Sequence, residues 1–413
     1  MSNNRTINAG AVNALVKKYE KQIVKFCQKI IQTPSFSCDE GNLVKHVIMP
    51  EMKRCGYDKV WHDKMGNVIG QIGKGKKKIM MDAHIDTVGL GDPDEWKRVG
   101  RKPFEGTIEH GSIWGRGATD QKSAMAPMVW AGKIMKDLGL LDDVTVYMVG
   151  SVQEEDCDGL PLMHLIQKEG VKPEVVVLTE QTELNLYRGH RGRMEIRIRI
   201  KGRSCHGSMP HLGDNAVYKS GPIIKEIEQL NPRLKDDAFL GKGTVTLSKI
   251  ECKTPSLCAV PGECTIYLDR RLTMGETKES AVAEVKALPS VRAAKAQVDI
   301  LEYKVKSWTG LTVGQEKYFP TWVVPEAHKS VQAGVHAGVI ALGRKPVIGR
   351  WTFSTNGVAT MGRLGIPSIG FGPGDERYAH TVQERVPIKD LLVCAAFYAA
   401  YPHYYARQNG GRL

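Results

Sequence analysis

The sequence predicts an α/β protein. A mixed sheet with helices on both faces is interrupted by an inserted α+β unit, an antiparallel sheet with two helices. Three observations carry this. Over 78–182, short apolar strands alternate with helical stretches, and chemically active residues follow the strand ends. At 194–201 the pattern changes to strict alternation, Glu195, Arg197 and Arg199 against Ile196, Ile198 and Ile200, the period of a half-buried antiparallel strand. Finally, 413 residues are too many for one ordinary core. The expected division is 1–186 and 321–413 for the first domain, with 187–320 as the insert.

In chain order, Val12, Leu15, Val16, Ile23, Val24 and Phe26 recur at helical spacing and predict an amphipathic helix over 8–31, ended by Thr33-Pro34-Ser35. A second helix over 42–54 stops at Cys55-Gly56. Strands are expected at 59–62, 67–72 and 78–83, then two more around a polar loop that ends in Gly115-Arg116-Gly117-Ala118-Thr119-Asp120-Gln121-Lys122. A helix rich in Ala and Met follows over 121–138, then a continuous apolar strand over 144–149, a helix over 160–167 and another apolar strand over 174–178. The insert reads as a strand at 194–201, a helix at 215–230, strands at 243–251 and 263–272, a helix at 277–287 and a strand at 297–303. The first domain resumes with an Ala-rich helix over 326–341 and closes with one over 388–401.

Composition narrows the function classes. Hydrophobic and charged fractions of 42% and 25% are those of a soluble globular protein. No apolar run approaches the roughly 18 residues of a membrane span, and Met1–Thr6 lacks the apolar stretch of a signal peptide. Nine cysteines without a CxxC pair read as reduced thiols, so the expected location is cytoplasmic. The net charge of +13 is scattered rather than concentrated in a nucleic-acid-binding patch. Lys74 to Lys78 reads as a solvated turn, and Gly73-Lys74-Gly75 lacks phosphate-loop spacing. The arginines of 188–203 are different, because positive charge around a cleft would draw in anionic substrates.

Four strand or loop ends present His84 with Asp86, Asp120, Glu154 with Glu155, and Glu180; His380 comes late in the chain. His84 and Asp86 lie two apart and so share one strand face, which suits a metal ligand and the carboxylate that orients it. Carboxylates gathered within a few ångström repel, and one would be pushed to protonate. Asp120, Glu155 and Glu180 beside two imidazoles are therefore most simply explained by cations among them. Mixed nitrogen and oxygen donors suit Zn²⁺, with Co²⁺ or Mn²⁺ as possible substitutes. Five ligands serve two ions if one carboxylate bridges, and Asp120 on its Gly-rich loop is the natural bridge. Of the adjacent pair, one glutamate would bind metal while the other faces the bound water as acid and base.

The order HxD, GRGATDQK, EE, TEQT and a late His resembles the di-zinc hydrolases that include succinyl-diaminopimelate desuccinylase, acetylornithine deacetylase, carboxypeptidase G2 and the aminoacylases. Glu-Glu-Asp-Cys-Asp-Gly, Tyr-Arg-Gly-His-Arg-Gly-Arg and Trp-Thr-Phe-Ser-Thr-Asn-Gly look closest to the branch labelled selenium-metabolism-linked hydrolases. The resemblance implies two Zn²⁺ per subunit. His84 and Glu180 would hold one, Glu155 and His380 the other, and Asp120 both, with Asp86 orienting His84 and Glu154 as general base. It further implies a catalytic domain carrying a dimerisation insert, a homodimer, and His206 reaching into the neighbour's site to stabilise the oxyanion. Asp269-Arg270-Arg271 resembles the family's D-x-R strand, which makes Arg271 the binder of a substrate carboxylate. Gly372 and Gly374 resemble the backbone turn near that group. Two departures fall on substrate-contacting positions. Cys258 stands where the family often has Asn, and Ser354-Thr355-Asn356-Gly357 replaces its usual turn, so Ser354 and Asn356 are expected at the substrate. The implied activity is hydrolysis of an amide-type bond, peptide, N-acyl or N-carbamoyl, in a small carboxylate-bearing substrate. The alternative is a non-catalytic metal- or ligand-binding protein on the same fold. Cys157 reads as a packing residue, and His190 with Arg191 falls at the expected hinge, either as a cleft contact or in a solvated loop.

Overall fold

A computed structural model describes residues 7–407; Met1–Thr6, read above for a signal segment, lies outside them. At the centre is a nine-stranded mixed sheet in the order Lys59–His62, Val68–Ile72, Val144–Ser151, Lys77–His84, Val175–Leu178, Ser368–Gly370, Leu186–His190, Trp322–Val323, with Ile348–Trp351 also on Leu186–His190. The four strands Val144–Ser151, Lys77–His84, Val175–Leu178 and Ser368–Gly370 run parallel to one another. Their carboxyl ends therefore open on one side, where α/β sheets place their ligands. Both faces of these strands are covered, which explains why their sequences are continuous apolar runs with no alternation. The helices Ala9–Ile31, Met125–Asp137, Lys329–Leu342 and Ile388–Arg407 pack on one another and bury a single large apolar core with the sheet. Ala9–Ile31 starts at Asn8, whose side chain accepts the Ala11 N–H.

The expected helix over 42–54 is continuous, but its middle, Val44–Ile48, widens into a π-turn before Met49–Arg54. Pro50 lacks the N–H that a regular turn would need there, and the wider turn absorbs the loss.

The inserted sheet has the order Thr244–Lys253, Glu263–Leu272, Gly192–Lys201, Gln297–Ile300, with Tyr318–Phe319 also pairing Gly192–Lys201. Its inward residues Ile196, Ile198, Ile200, Cys264, Ile266 and Leu268 form a second core with Ile223 and Ile227 from Ala216–Leu230 and with Ala281 and Val285 from Lys278–Ala287. The charged positions stay on the other face, as their alternation requires. The chain leaves the large sheet after His190 and rejoins it at Trp322.

One expected element divides in two. The strand at 297–303 stops at Ile300, and Glu302–Lys306 starts a separate hairpin with Thr312–Glu316. This hairpin leans on the first domain: Tyr303 joins its core, and Trp308 lies against Gly41 and Gly66 and donates Nε1–H to the Gly66 carbonyl at 3.2 Å. All nine cysteines are free thiols, and no helix among the described residues is long and apolar enough to cross a membrane.

Gly66 has φ +110°, and a Cβ there would stand 2.1 Å from Trp308 Nε1. Gly66→Ala is expected to cost at least about 2 kcal/mol, from left-handed strain plus displacement of the indole. Urea titration would show it, and Gly66→Ala in a Trp308→Ala background would cost less.

Candidate metal centre and substrate cleft

His84 is the last residue of a strand buried from Ile79 onward. Its Nδ1 lies 3.1 Å from the Asp86 carbonyl and 3.4 Å from Asp86 Oδ1, which leaves Nε2 facing Asp120 Oδ1 at 2.9 Å. Asp86 is fully buried and also receives the Ser37 hydroxyl at 2.6 Å and the backbone N–H groups of Glu154 and Glu155, both at 3.2 Å. A single carboxylate thus sets both the imidazole and the loop that carries the glutamate pair. That loop leaves Val144–Ser151 through Gln153, whose φ of +56° turns the two glutamates.

Asp120 stands between two histidines. Oδ1 faces His84, and Oδ2 lies 3.2 Å from His380 Nε2, which is also 3.1 Å from Glu155 Oε2. Glu180 Oε1 is 3.8 Å and Glu154 Oε2 4.0 Å from His84 Nε2. Two sets of donor atoms, His84 with Asp120 and Glu180, and Asp120 with Glu155 and His380, each lie within 4.8 Å of one another. They share Asp120.

The electrostatics of this cluster show a deficit of positive charge. Burial, then the charge of Asp158, pushes the Glu154 carboxyl well above its ordinary range. Burial does the same to Glu180. Burial would lower His84, but Glu180, Asp120 and Asp86 around it hold its imidazole well above the ordinary value. Hydrogen bonds to Asp120 and Glu155 carry His380 up to about 10. Among the described residues, Glu154 Oε1 and Glu180 Oε2 are buried without a hydrogen-bond partner. Orphaned carboxylate oxygens beside imidazoles turned toward acids are the donor set that divalent cations satisfy.

The remaining expected residues fall into three groups. Arg271 and Ser354 line a cleft of about 270 Å³ together with Asp120, Glu154, Glu155, Glu180 and His380. Its neighbour Arg270 points the other way, fully buried against Glu276 at 2.5 Å. Asn356 is not at the cleft surface. It is buried, donates to Asp82 Oδ2 at 2.8 Å and Ser151 Oγ at 2.9 Å, and accepts the Gly159 N–H at 2.7 Å, so its polar atoms are spent on bracing strand ends. Gly372 and Gly374 brace the Glu180 loop: a Cβ on Gly372 would stand 2.1 Å from the Glu180 carbonyl, and Gly374 takes φ +83°. Their carbonyls accept from Thr182, Leu184 and Glu183. His206 does not line the cleft of its own chain; it is exposed, with Nδ1 2.7 Å from Ser208 Oγ.

Several residues here were missed in the sequence. Glu384 is buried, accepts the Asp120 N–H at 2.9 Å and pairs with Arg116 at 2.8 Å, which pins the Gly-rich loop. Its partner in GRGATDQK was visible, but 268 residues separate the two. Asp158 and Arg193 also line the cleft. Arg193 lay inside the arginine-rich stretch noted above, whereas Asp158 carried no signal beyond following the glutamate pair.

The chain matches the family described as peptidase family M20/M25/M40 over residues 80–403. It is 52% identical over 386 residues to the protein called uncharacterized protein YgeY of Escherichia coli (strain K12), covering 94% of this chain and 95% of that one. It is 32% identical over 178 residues to a probable succinyl-diaminopimelate desuccinylase of Staphylococcus epidermidis, 42% of each chain. The fold matches that of Bacillus subtilis YxeP, described as a dinuclear metal binding peptidase, with a TM-score of 0.68 at 13% identity over 94% of this chain and 98% of that one.

Arg116→Met would leave the Glu384 carboxylate buried and unpaired. A loss of about 3–5 kcal/mol is expected from stripping one partner of such a pair, together with weaker metal uptake as the Asp120 loop loosens. Urea unfolding and metal titration check it, and adding Glu384→Gln should recover part of the loss.

Proposed function

We propose, from the premise that this chain belongs to peptidase family M20/M25/M40, that it hydrolyses an amide-type bond, peptide, N-acyl or N-carbamoyl, in a small substrate with a free carboxylate. The observation that carries this reading is the position of Asp120, with one oxygen toward each histidine at 2.9 and 3.2 Å. His84 and Glu180 would hold one divalent ion, Glu155 and His380 the other, and Asp120 both. Zinc suits these donors, with cobalt or manganese as substitutes. Bound there, such ions polarise a carbonyl and acidify water.

The chain's own residues supply the rest. Asp86 holds the His84 ring with Nε2 turned toward Asp120, where it would ligate an ion. Glu154, held by its backbone on Asp86, takes the proton of the attacking water and passes it to the leaving nitrogen. Arg271, at the cleft wall, receives the substrate carboxylate. His206, exposed and away from its own cleft, would serve the site of a second copy by donating to the developing oxyanion. Met209, Leu212 and Leu257 on the same corner are exposed apolar side chains that a second copy would cover. The likeness to the selenium-metabolism-linked branch names no reaction and adds nothing to this reading.

Chelation should abolish hydrolysis of a panel of dipeptides and N-acetyl, N-succinyl and N-carbamoyl amino acids, and Zn²⁺ should restore it. Glu154→Gln should keep its metal while losing about 10²–10⁴ in kcat; full activity in that variant removes Glu154 as base. Mixing His206→Ala with Glu154→Gln protomers should revive about a quarter of the sites if copies pair symmetrically. No recovery, with dimers confirmed by sedimentation, would count against His206 acting in trans.

A further inference from the structure

The acids and the cations lining the cleft differ in how much of their bonding capacity is used. Asp158 is buried and both its oxygens are engaged, Oδ1 by Arg193 Nη2 at 3.0 Å and Oδ2 by the Ser354 hydroxyl. Glu376 receives the Thr352 hydroxyl across its two oxygens at 3.1 and 3.2 Å. The arginines keep donors in reserve. Arg271 commits Nε and Nη2 to Asp269 at 2.7 and 3.0 Å and retains Nη1. Arg193 commits Nη2 to Asp158, and among the described residues its Nη1 has no hydrogen-bond partner. The Phe319 ring lies 4.5 Å from its guanidinium and, with Asp158, fixes the plane of the fork.

Arg193 and Arg271 are direct cross-strand partners on Gly192–Lys201 and Glu263–Leu272. Like charges in that position repel. Further positive charge stands behind them: Arg191 is held below its ordinary value by burial and then by Arg271 and Arg350. So Asp158, the acid beside Arg193, has both oxygens engaged, while two opposed cations each still offer a donor. At this wall an ammonium group would meet like charge, whereas a second acidic group would find a donor waiting.

The geometry points to Arg193 as a specificity-determining residue that grips a second acidic group of the substrate, beside the carboxylate received by Arg271. The substrate class is then an amide carrying two acidic groups, such as an N-acyl, N-carbamoyl or peptidyl derivative of a dicarboxylic amino acid. This rests on the hydrolase reading above. It differs from a purely structural role, in which Arg193 only ties the inserted sheet to the loop of Glu154 through Asp158.

The test compares kcat/KM of the zinc-loaded protein for N-acetyl, N-carbamoyl and glycyl forms of glutamate and aspartate with the matching glutamine and asparagine forms, which differ only in the second acid. A preference of about tenfold or more for the diacid is expected from one charge-assisted hydrogen bond. Arg193→Gln should collapse that ratio to near unity, mainly through KM, and Arg193→Lys should recover part of it. Calorimetry supplies a readout without turnover: glutarate should bind the wild type more tightly than its monoamide, and Arg193→Gln should erase the difference. Equal treatment of acid and amide by the wild type, a preference for lysine derivatives, or an Arg193→Gln variant that lowers acid and amide substrates by the same factor would each overturn the proposal. Selective glutarate binding with no turnover of any amide would support the acid grip and overturn the hydrolase reading instead.

Discussion

Carboxyl groups buried together must be neutralised, and the rest of this structure is arranged around that requirement. Asp120, Glu154, Glu155 and Glu180 converge at the carboxyl ends of parallel strands around the imidazoles of His84 and His380. The consequence is visible in the side chains themselves: histidines hold protons more strongly than usual, three carboxyls are pushed toward protonation, and two carboxylate oxygens are buried without a partner among the described residues. Divalent cations would relieve such an arrangement, because an uncompensated buried charge costs several kcal/mol.

Several of these donors are held in place by neighbouring groups. Asp86 orients His84 and at the same time ties down the backbone of Glu154 and Glu155. Glu384 and Arg116 fix the loop of Asp120. Gly372 lets the chain pass close behind Glu180, where any Cβ would collide with its carbonyl. Asn356 cross-braces the ends of two neighbouring parallel strands. These are buried contacts between distant segments, and they give the site its rigidity.

The inserted sheet contributes the opposite wall. Its inward face is an ordinary apolar core, so its outward face is free to carry charge, and at one end that face becomes the cleft lining through Arg193 and Arg271. Alternation along a strand decides which of two adjacent arginines does this: Arg270 turns inward to Glu276, and Arg271 outward. The hairpin Glu302–Lys306 with Thr312–Glu316 and the Arg193–Asp158 pair are among the points at which this part of the chain leans on the first domain.

How much was legible in the sequence follows from the range of each interaction. Local periodicity determined the longer helices and the parallel strands whose ends carry His84, the glutamate pair and Glu180, because burial on both faces leaves a continuous apolar run, whereas short elements such as Ser368–Gly370, Leu186–His190 and Pro93–Arg98 gave no such signal. Residue chemistry in one order along the chain determined the family. Only the tertiary structure decided that the 297–303 strand breaks to let Trp308 dock on Gly66, that Asn356 and the two glycines brace the site, and that Glu384 and Asp158 belong to it. The physical reason is the same in each case: these residues act through contacts across tens to hundreds of positions, and a carboxylate or amide of that kind looks, in sequence, like any surface residue.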